Sequence, residues 1–199
     1  MAVIGITGGS GSGKSTLALT LRNRLGRSRC ATLCLDSYYH DLSALPPAER
    51  AETDFDVPAA VDLDLLAAHL RALKAGKTVR PPRYDFATHT RSGEGDRVFP
   101  REHVIVEGLF LMADETVAAA IDLLLYVETP DGTRLARRIA RDTAERGRTD
   151  AEVIRRWEEH TRPSCDAHVL PARGRADLIV SGEDDFRDVV NTILLLLSH

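Results

Sequence analysis

The sequence predicts an α/β fold in which helices cover both faces of a parallel β-sheet. Three observations lead there. Short apolar runs alternate with stretches of helical periodicity. The apolar runs are continuous rather than alternating, which suits strands buried on both faces of a parallel sheet. A glycine-rich turn joins the first apolar run to the first helical stretch, the context of a phosphate-binding loop.

The predicted strands are Ala2–Thr7, Ala31–Leu35, His103–Val106, Leu123–Val127 and Ala176–Val180. Between them Lys14–Leu25, Leu63–Ala75 and Arg134–Arg146 carry helical spacing, and Asp184–Leu197 reads as a closing helix. Thr78–Glu102 is different. It holds Pro81, Pro82, Gly93, Gly95 and Pro100 with short β-like pieces between them, and reads as a hairpin or loop excursion. An insertion of that length is more often functional than idle. No repeat, low-complexity tract or linker divides the chain. One domain over residues 1–199 is expected, with 78–102 as a substrate hairpin and 131–160 as a lid.

Composition narrows the class. The chain has 199 residues, 43% apolar and 28% charged, with a net charge of -4, so bulk attraction to nucleic acid is not expected. Positive charge is local: Arg134, Arg137, Arg138, Arg141, Arg146 and Arg148 crowd one segment and call for an anionic partner. Cys30, Cys34 and Cys165 show no metal spacing and read as reduced thiols. The opening MAVIGIT runs straight into a strand without a basic region before an apolar one, unlike a signal peptide. Ile193–Leu197 is too short to span a bilayer. A cytoplasmic protein without a membrane partner is expected.

Gly8-Gly9-Ser10-Gly11-Ser12-Gly13-Lys14-Ser15, followed by Thr16, fits G-x-x-x-x-G-K-[ST] between a strand and a helix. Glycines let the backbone curl so that successive N–H groups face phosphate oxygens. The following helix adds the positive end of its dipole. Lys14 supplies a mobile charge for the terminal phosphates, and the Ser15 hydroxyl suits Mg²⁺. The loop identifies the nucleotide, ATP or GTP, but not the reaction.

Carboxylates at strand ends speak to the reaction. Asp36 follows the second strand, where open α/β sheets place ligands. Transfer of a phosphoryl group to a hydroxyl needs a carboxylate that orients the nucleophile and takes its proton, and Asp36 is the candidate. A helix cap or turn would use an aspartate there as well. Glu107 ends the apolar run Val104–Val106 and is a second candidate for Mg²⁺, beside Asp36; an ordinary strand-end acid is the other reading. Gly108 would let the chain turn away from the phosphates.

At this point the chain resembles the uridine kinase family, within the wider group that includes phosphoribulokinase. The resemblance runs through GITGGSGSGKST, LDSYYHD, TDFDVPAAVD, PPRYDFATHTR, VIVEGLFL, RLARRIARDTAERGR and RADLIVSG, in order, over residues 3–182. It implies a P-loop kinase fold: a five-stranded sheet of order 2-3-1-4-5, a substrate-binding hairpin and an arginine-rich helical lid. It implies Asp36 as general base for a 5′-hydroxyl and Asp56 as acceptor for ribose hydroxyls. Tyr38 or Tyr39, with Phe55, Tyr84 and Phe86, would wall the nucleoside, and His89 would read the pyrimidine edge. Arg138 and Arg141 would stabilise the moving phosphate, while Arg146 and Arg148 would touch phosphate or nucleoside. A homo-oligomer, a tetramer by the family's habit, is implied too. Taken alone, Tyr84 and Phe86 alternate like strand neighbours and suit a core. The arginines, spaced by three and four, suit a solvated helix face paired with Asp131, Asp142 and Glu145.

The chain departs from the family pattern at three places. Arg156 stands where a base-contacting glutamine is usual, and Asp54 and Val57 replace an asparagine and a histidine. An arginine only donates hydrogen bonds, whereas a glutamine also accepts. Three readings follow: a kinase acting on uridine or cytidine; a kinase of the same fold with another acceptor, such as a sugar phosphate, for which Arg83 and Arg91 speak; and a nucleotide-dependent switch. The last would carry an Asn-Lys-x-Asp block, and the sequence has none.

Overall fold

The computed structural model describes residues 1–197, so the last two residues of the expected domain lie outside the described residues. In chain order the elements are β1 (Ala2–Thr7), α1 (Lys14–Leu25), β2 (Cys30–Cys34), α2 (Pro47–Glu52), α3 (Leu63–Lys74), β3 (Pro82–Asp85) and β4 (Thr90–Glu94). They continue with β5 (His103–Glu107), α4 (Glu115–Ala118), β6 (Leu123–Glu128), α5 (Asp131–Arg146), α6 (Asp150–Arg156), α7 (Arg162–Ser164), β7 (Leu178–Ser181) and α8 (Phe186–Leu196). Five strands form one sheet of order β2-β5-β1-β6-β7, every neighbouring pair parallel. Renumbered for that sheet alone, this is the expected 2-3-1-4-5.

Continuous apolar strands are explained by the two layers they separate. Val104 and Val106 face Leu66 and Leu70 of α3, whereas Ile105 between them faces Leu17 and Leu21 of α1 with Val190 and Ile193 of α8. The central run Val104–Val106 therefore needs an apolar residue at every position.

The 78–102 excursion is an antiparallel hairpin, β3 on β4, closed at its base by a bridge between Val79 and Val98. Arg91 is tied into this frame. Its guanidinium donates to the Tyr38 and Tyr39 carbonyls at 2.9 and 2.8 Å and pairs with Asp62 at 3.2 Å. Arg83 is exposed.

Boundaries shift where side chains intervene. The second strand ends at Cys34 because Leu35–Tyr38 winds into a 3₁₀ turn. Helix α5 starts at Asp131, three residues before the expected Arg134, because Pro130 presets the entry and Asp131 suits the helix N-terminus. Helix α6 lies inside the expected 131–160 helical lid, and Thr149 and Glu152 form a reciprocal capping box at its start. It runs on through a π-helical turn at Trp157–Thr161, α7 and a second π-helical turn at Cys165–Val169.

Packing by itself requires a glycine at position 108. A Cβ there would lie 2.2 Å from the Cβ of Leu35, which is fully enclosed. Gly108→Ala should cost about 1–3 kcal/mol through overpacking. Denaturant melts should show a lower midpoint at unchanged slope; an unshifted midpoint would mean that Leu35 yields freely.

Candidate active site

The carboxyl edge of the sheet opens into a cleft of about 550 Å³. Ser10, Gly11, Gly13, Lys14, Ser15 and Thr16 line one side of it. Gly8, Gly9 and Ser12 shape the loop from behind and do not line the cleft. Gly11 has φ +77°, and a Cβ on it would meet the Arg134 carbonyl oxygen at 2.4 Å, so the turn admits only glycine. Lys14 Nζ donates to the Gly9 carbonyl at 2.9 Å, which holds the ammonium over its own loop.

Glu107 and Asp36 face Lys14 across the floor of the cleft. Ser15 Oγ donates to Glu107 Oε1 at 3.1 Å, as does the Cys34 thiol at 3.1 Å. A hydroxyl and two carboxylates are hard oxygen donors suited to Mg²⁺. Among the described residues no group of three or more His, Cys, Asp or Glu is placed to hold a metal ion.

The far end of the cleft is aromatic. Tyr39 centres the group, with ring centroids 5.5 Å from Phe55 and 5.3 Å from Tyr84. Phe86 stands edge-on to Tyr84 at 5.2 Å, and His89 stacks on Phe55 at 4.5 Å. Tyr38 does not join them. It is fully buried, and its hydroxyl meets His69 Nδ1 at 2.9 Å, so of the two tyrosines Tyr39 takes the wall position. Tyr84 lines the cleft with its ring, and its hydroxyl is buried. Asp56 lies between the aromatic end and the loop, accepting from Thr161 Oγ1 at 2.8 Å and pairing with Arg138 at 3.3 Å.

Helix α5 roofs the cleft with Arg137, Arg138 and Arg141, and Arg146, Arg148 and Arg156 continue the roof over the aromatic end. Arg138 reaches Ser10 Oγ at 3.3 Å, and Arg146 lies 5.3 Å above the Phe86 ring. Arg134 turns away and stacks on Trp157 at 4.9 Å.

A family model described as Phosphoribulokinase / Uridine kinase family matches residues 3–185. The chain belongs to the phosphoribulokinase/uridine kinase family. Its relatives include a protein named uridine kinase from Brevibacillus brevis, 41% identical over 89% of this chain and 83% of that one. Another of that name, from Staphylococcus epidermidis, is 42% identical over 89% of this chain and 86% of the relative. Among solved structures, the phosphoribulokinase from Rhodobacter spheroides superposes with a TM-score of 0.64 at 19% identity, covering 90% of this chain and 69% of that one. That likeness concerns the fold. Membership in a P-loop kinase family brings a nucleoside triphosphate donor.

Two parts of this family member's site escaped sequence reasoning. A shallow cleft beside the loop is lined by Gly13, Thr16, Arg137, Gly182, Asp184 and Phe186 among others, with Arg137 donating to the Gly182 carbonyl at 3.0 Å. The only signal was the segment following the last strand. A solvated helix face is one of the readings open to Asp142 in the sequence, but its side chain is wholly enclosed among arginines. Its spacing of four from both Arg138 and Arg146 is the clue the sequence carries.

Burial, and then neighbouring charge, sets the protonation states. Burial lowers the pKa of Lys14, against an upward pull from Glu107 and Asp36. For Asp36 burial and then Glu107 raise the pKa, and Lys14, Arg146 and Arg141 offset this only in part. Burial, then Arg148 and Arg156, lower the pKa of His89, leaving a neutral ring at pH 7.

The Asp36 shift has a sign in stability. Its folded pKa lies above the unfolded value, so the folded chain binds the proton more tightly. Stability from this group is present below the unfolded value and is lost as pH rises through the folded one. Asp36→Asn should therefore raise the melting temperature of the unliganded protein at pH 7 by roughly 1–5 °C. The gap should close below pH 4, and scanning calorimetry across that range reads it. A variant less stable than wild type at pH 7 would contradict the assignment.

Proposed function

We propose that the chain is a uridine kinase: it moves the γ-phosphoryl group of ATP or GTP to the 5′-hydroxyl of a pyrimidine ribonucleoside, uridine first, giving the monophosphate. One observation carries the reading. A single cleft holds the phosphate loop and Asp36 at one end, and Asp56 with an aromatic box at the other. A carboxylate suits a cis-diol, because it accepts two hydroxyl donors at once. The faces of Phe55, Tyr39 and Phe86 suit a planar base. The neutral His89 ring offers a directional contact to its polar edge. Relatives bearing the name uridine kinase, about 41% identical over most of the chain, support the same acceptor. A sugar-phosphate acceptor fits less well, since Arg91 is committed to Tyr38, Tyr39 and Asp62 and a bare sugar would leave the aromatic box unfilled. Cytoplasmic placement and a tetrameric assembly belong to the same reading; no helix among the described residues is long and apolar enough to cross a membrane.

In this reading Asp36 takes the proton from the 5′-hydroxyl as its oxygen bonds to the γ-phosphorus. The bond from that phosphorus to the bridging oxygen breaks, and the electron pair stays on the departing diphosphate. Lys14 and the loop N–H groups stabilise the charge left there. Arg138 and Arg141 stabilise the equatorial oxygens of the moving group. Asp56 holds the ribose, with Thr161 and Arg138 fixing its orientation. Ser15, Glu107 and Asp36 would hold Mg²⁺, which, when bound, neutralises phosphate charge. The donor's base would enter the shallow cleft beside Arg137, where Asp184 can accept from an exocyclic amino group. The arginine roof would exclude water, the competing acceptor.

Assay of nucleotide consumption over uridine, cytidine, purine nucleosides and ribulose 5-phosphate tests the acceptor directly. Uridine should be the best, and failure of both pyrimidine nucleosides would reject the reading while leaving the family intact. Lys14→Ala should lower kcat by about 100-fold or more. Asp36→Asn should lower kcat far more than it changes nucleoside affinity, whereas Asp56→Asn should raise the KM for ribonucleosides. Identical kinetic signatures for the two aspartate variants would undo this division of labour.

Arg156 lines the same end of the cleft as His89 and acts on its charge. A donor-only side chain there favours uracil O4 over the cytosine amino group. The preference for uridine should be about tenfold to a hundredfold in kcat/KM and should shrink in Arg156→Gln. Equal values for the two nucleosides in wild type would remove Arg156 from specificity.

A further inference from the structure

Asp142 sits apart from the cleft but touches the groups that roof it. Its side chain is 0% exposed. Oδ1 accepts from Arg141 Nε at 2.9 Å and lies 3.4 Å from Arg146 Nη1. Oδ2 accepts from Arg148 Nη1 at 3.1 Å and lies 3.6 Å from Arg138 Nε. All four arginines line the cleft, and Asp142 does not. The backbone brings them to it. Arg138, Arg141 and Arg146 come from helix α5, which ends at Gly147 in the left-handed region at φ +64°. That turn doubles the chain back, so the amides of Gly147 and Arg148 both donate to the Asp142 carbonyl and the Arg148 side chain re-enters the roof.

We propose that Asp142 is a positioning residue for phosphoryl transfer, a buried carboxylate that gathers the Arg138, Arg141, Arg146 and Arg148 guanidiniums into one rigid roof over the transferred group. The inference rests on the kinase reading above. Four cations this close repel one another, and each has many rotamers to lose on ordering. One enclosed carboxylate offsets part of the repulsion, fixes Arg141 and Arg148 by hydrogen bonds and holds Arg138 and Arg146 by ion pairing, leaving other N–H groups for the cleft. Arg138 joins the two halves of the site, since it also pairs with Asp56 at 3.3 Å. Burial lowers the Arg148 pKa, Asp142 pulls it back up, and Arg156, Arg146 and Arg138 push it down again, the mark of crowded positive charge. For Asp142 itself, burial would raise the pKa, but Arg141, Arg146 and Arg138 outweigh it and keep the group ionised. Preorganised charge of this kind acts on the transition state more than on the bound nucleoside.

The test compares Asp142→Asn, Arg148→Gln and the double variant in steady-state kinetics with uridine and ATP, alongside ATP binding in the absence of acceptor. A displacement of about 1 Å in a catalytic group can cost on the order of 100-fold. Asp142→Asn should lower kcat by about tenfold to a hundredfold, change the KM for uridine much less, and leave ATP affinity within about threefold. The double variant restores the charge balance and guards against loss of folding. It should still turn over no faster than Asp142→Asn, because Arg138, Arg141 and Arg146 remain without their anchor. Recovery of the double variant to the kcat of Arg148→Gln alone would overturn the proposal and leave Asp142 as a charge balancer. A kcat per folded enzyme unchanged in Asp142→Asn would also overturn it. If wild type leaves uridine untouched, the acceptor reading falls by itself, and the same three variants are compared in ATP hydrolysis to water, where the same order of rates is expected.

Discussion

Strand β5 lies in parallel register between β2 and β1, pairing Glu107 with Cys34 on one side and with Ile6 on the other. That pairing is the constraint on which the rest of the site depends. Parallel strands end at the same edge, so the turn after each delivers its polar residues to one place. The turn after β1 carries the phosphate loop, the turn after β2 carries Asp36, and β5 ends in Glu107 itself. Lys14, Asp36 and Glu107 thus meet although they are distant in sequence. A slip of one residue in β5 would turn Glu107 into a core layer.

Meeting there has an electrostatic consequence. Lys14 is buried and its pKa is lowered, and burial raises that of Asp36, so holding these charges together costs some stability. Bound phosphates would reverse part of this by pairing with Lys14 and the arginine roof. The roof faces the same problem with opposite sign, and Asp56 and Asp142 are the enclosed or nearly enclosed carboxylates that offset it. Helix α5 is therefore divided by function along its length. Arg134 braces it against Trp157, Arg137 braces the loop while lining the cleft, and Arg138, Arg141 and Arg146 face the cleft.

The aromatic box depends on a different device, the hairpin β3–β4 folded back over the turn after β2. Arg91 fastens the hairpin by donating to the carbonyls of Tyr38 and Tyr39. The bonds hold the two tyrosines so that Tyr39 faces Phe55 and Tyr84 while Tyr38 faces His69 in the core. His89, near the tip, has φ +54°, an uncommon conformation that lays its ring flat on Phe55. One arginine that charge alone would assign to an anionic substrate is thus a fastener of the aromatic wall.

The amino-acid sequence by itself determined the layer architecture, because a strand buried on both faces must be apolar at every position, as Val104–Val106 is. It determined the phosphate loop, whose parts are adjacent in the chain and whose geometry is local, and it marked Asp36 and Glu107 as strand-end acids. Only the tertiary structure decided which of Tyr38 and Tyr39 faces the cleft, because neighbouring residues leaving a 3₁₀ turn point apart and their partners, His69 and Tyr84, come from other elements. It also decided that Asp142 is enclosed rather than solvated. Helical spacing shows which residues share a face, but whether that face meets water depends on how Gly147 turns the chain and where Arg148 returns, and no local pattern carries that distance.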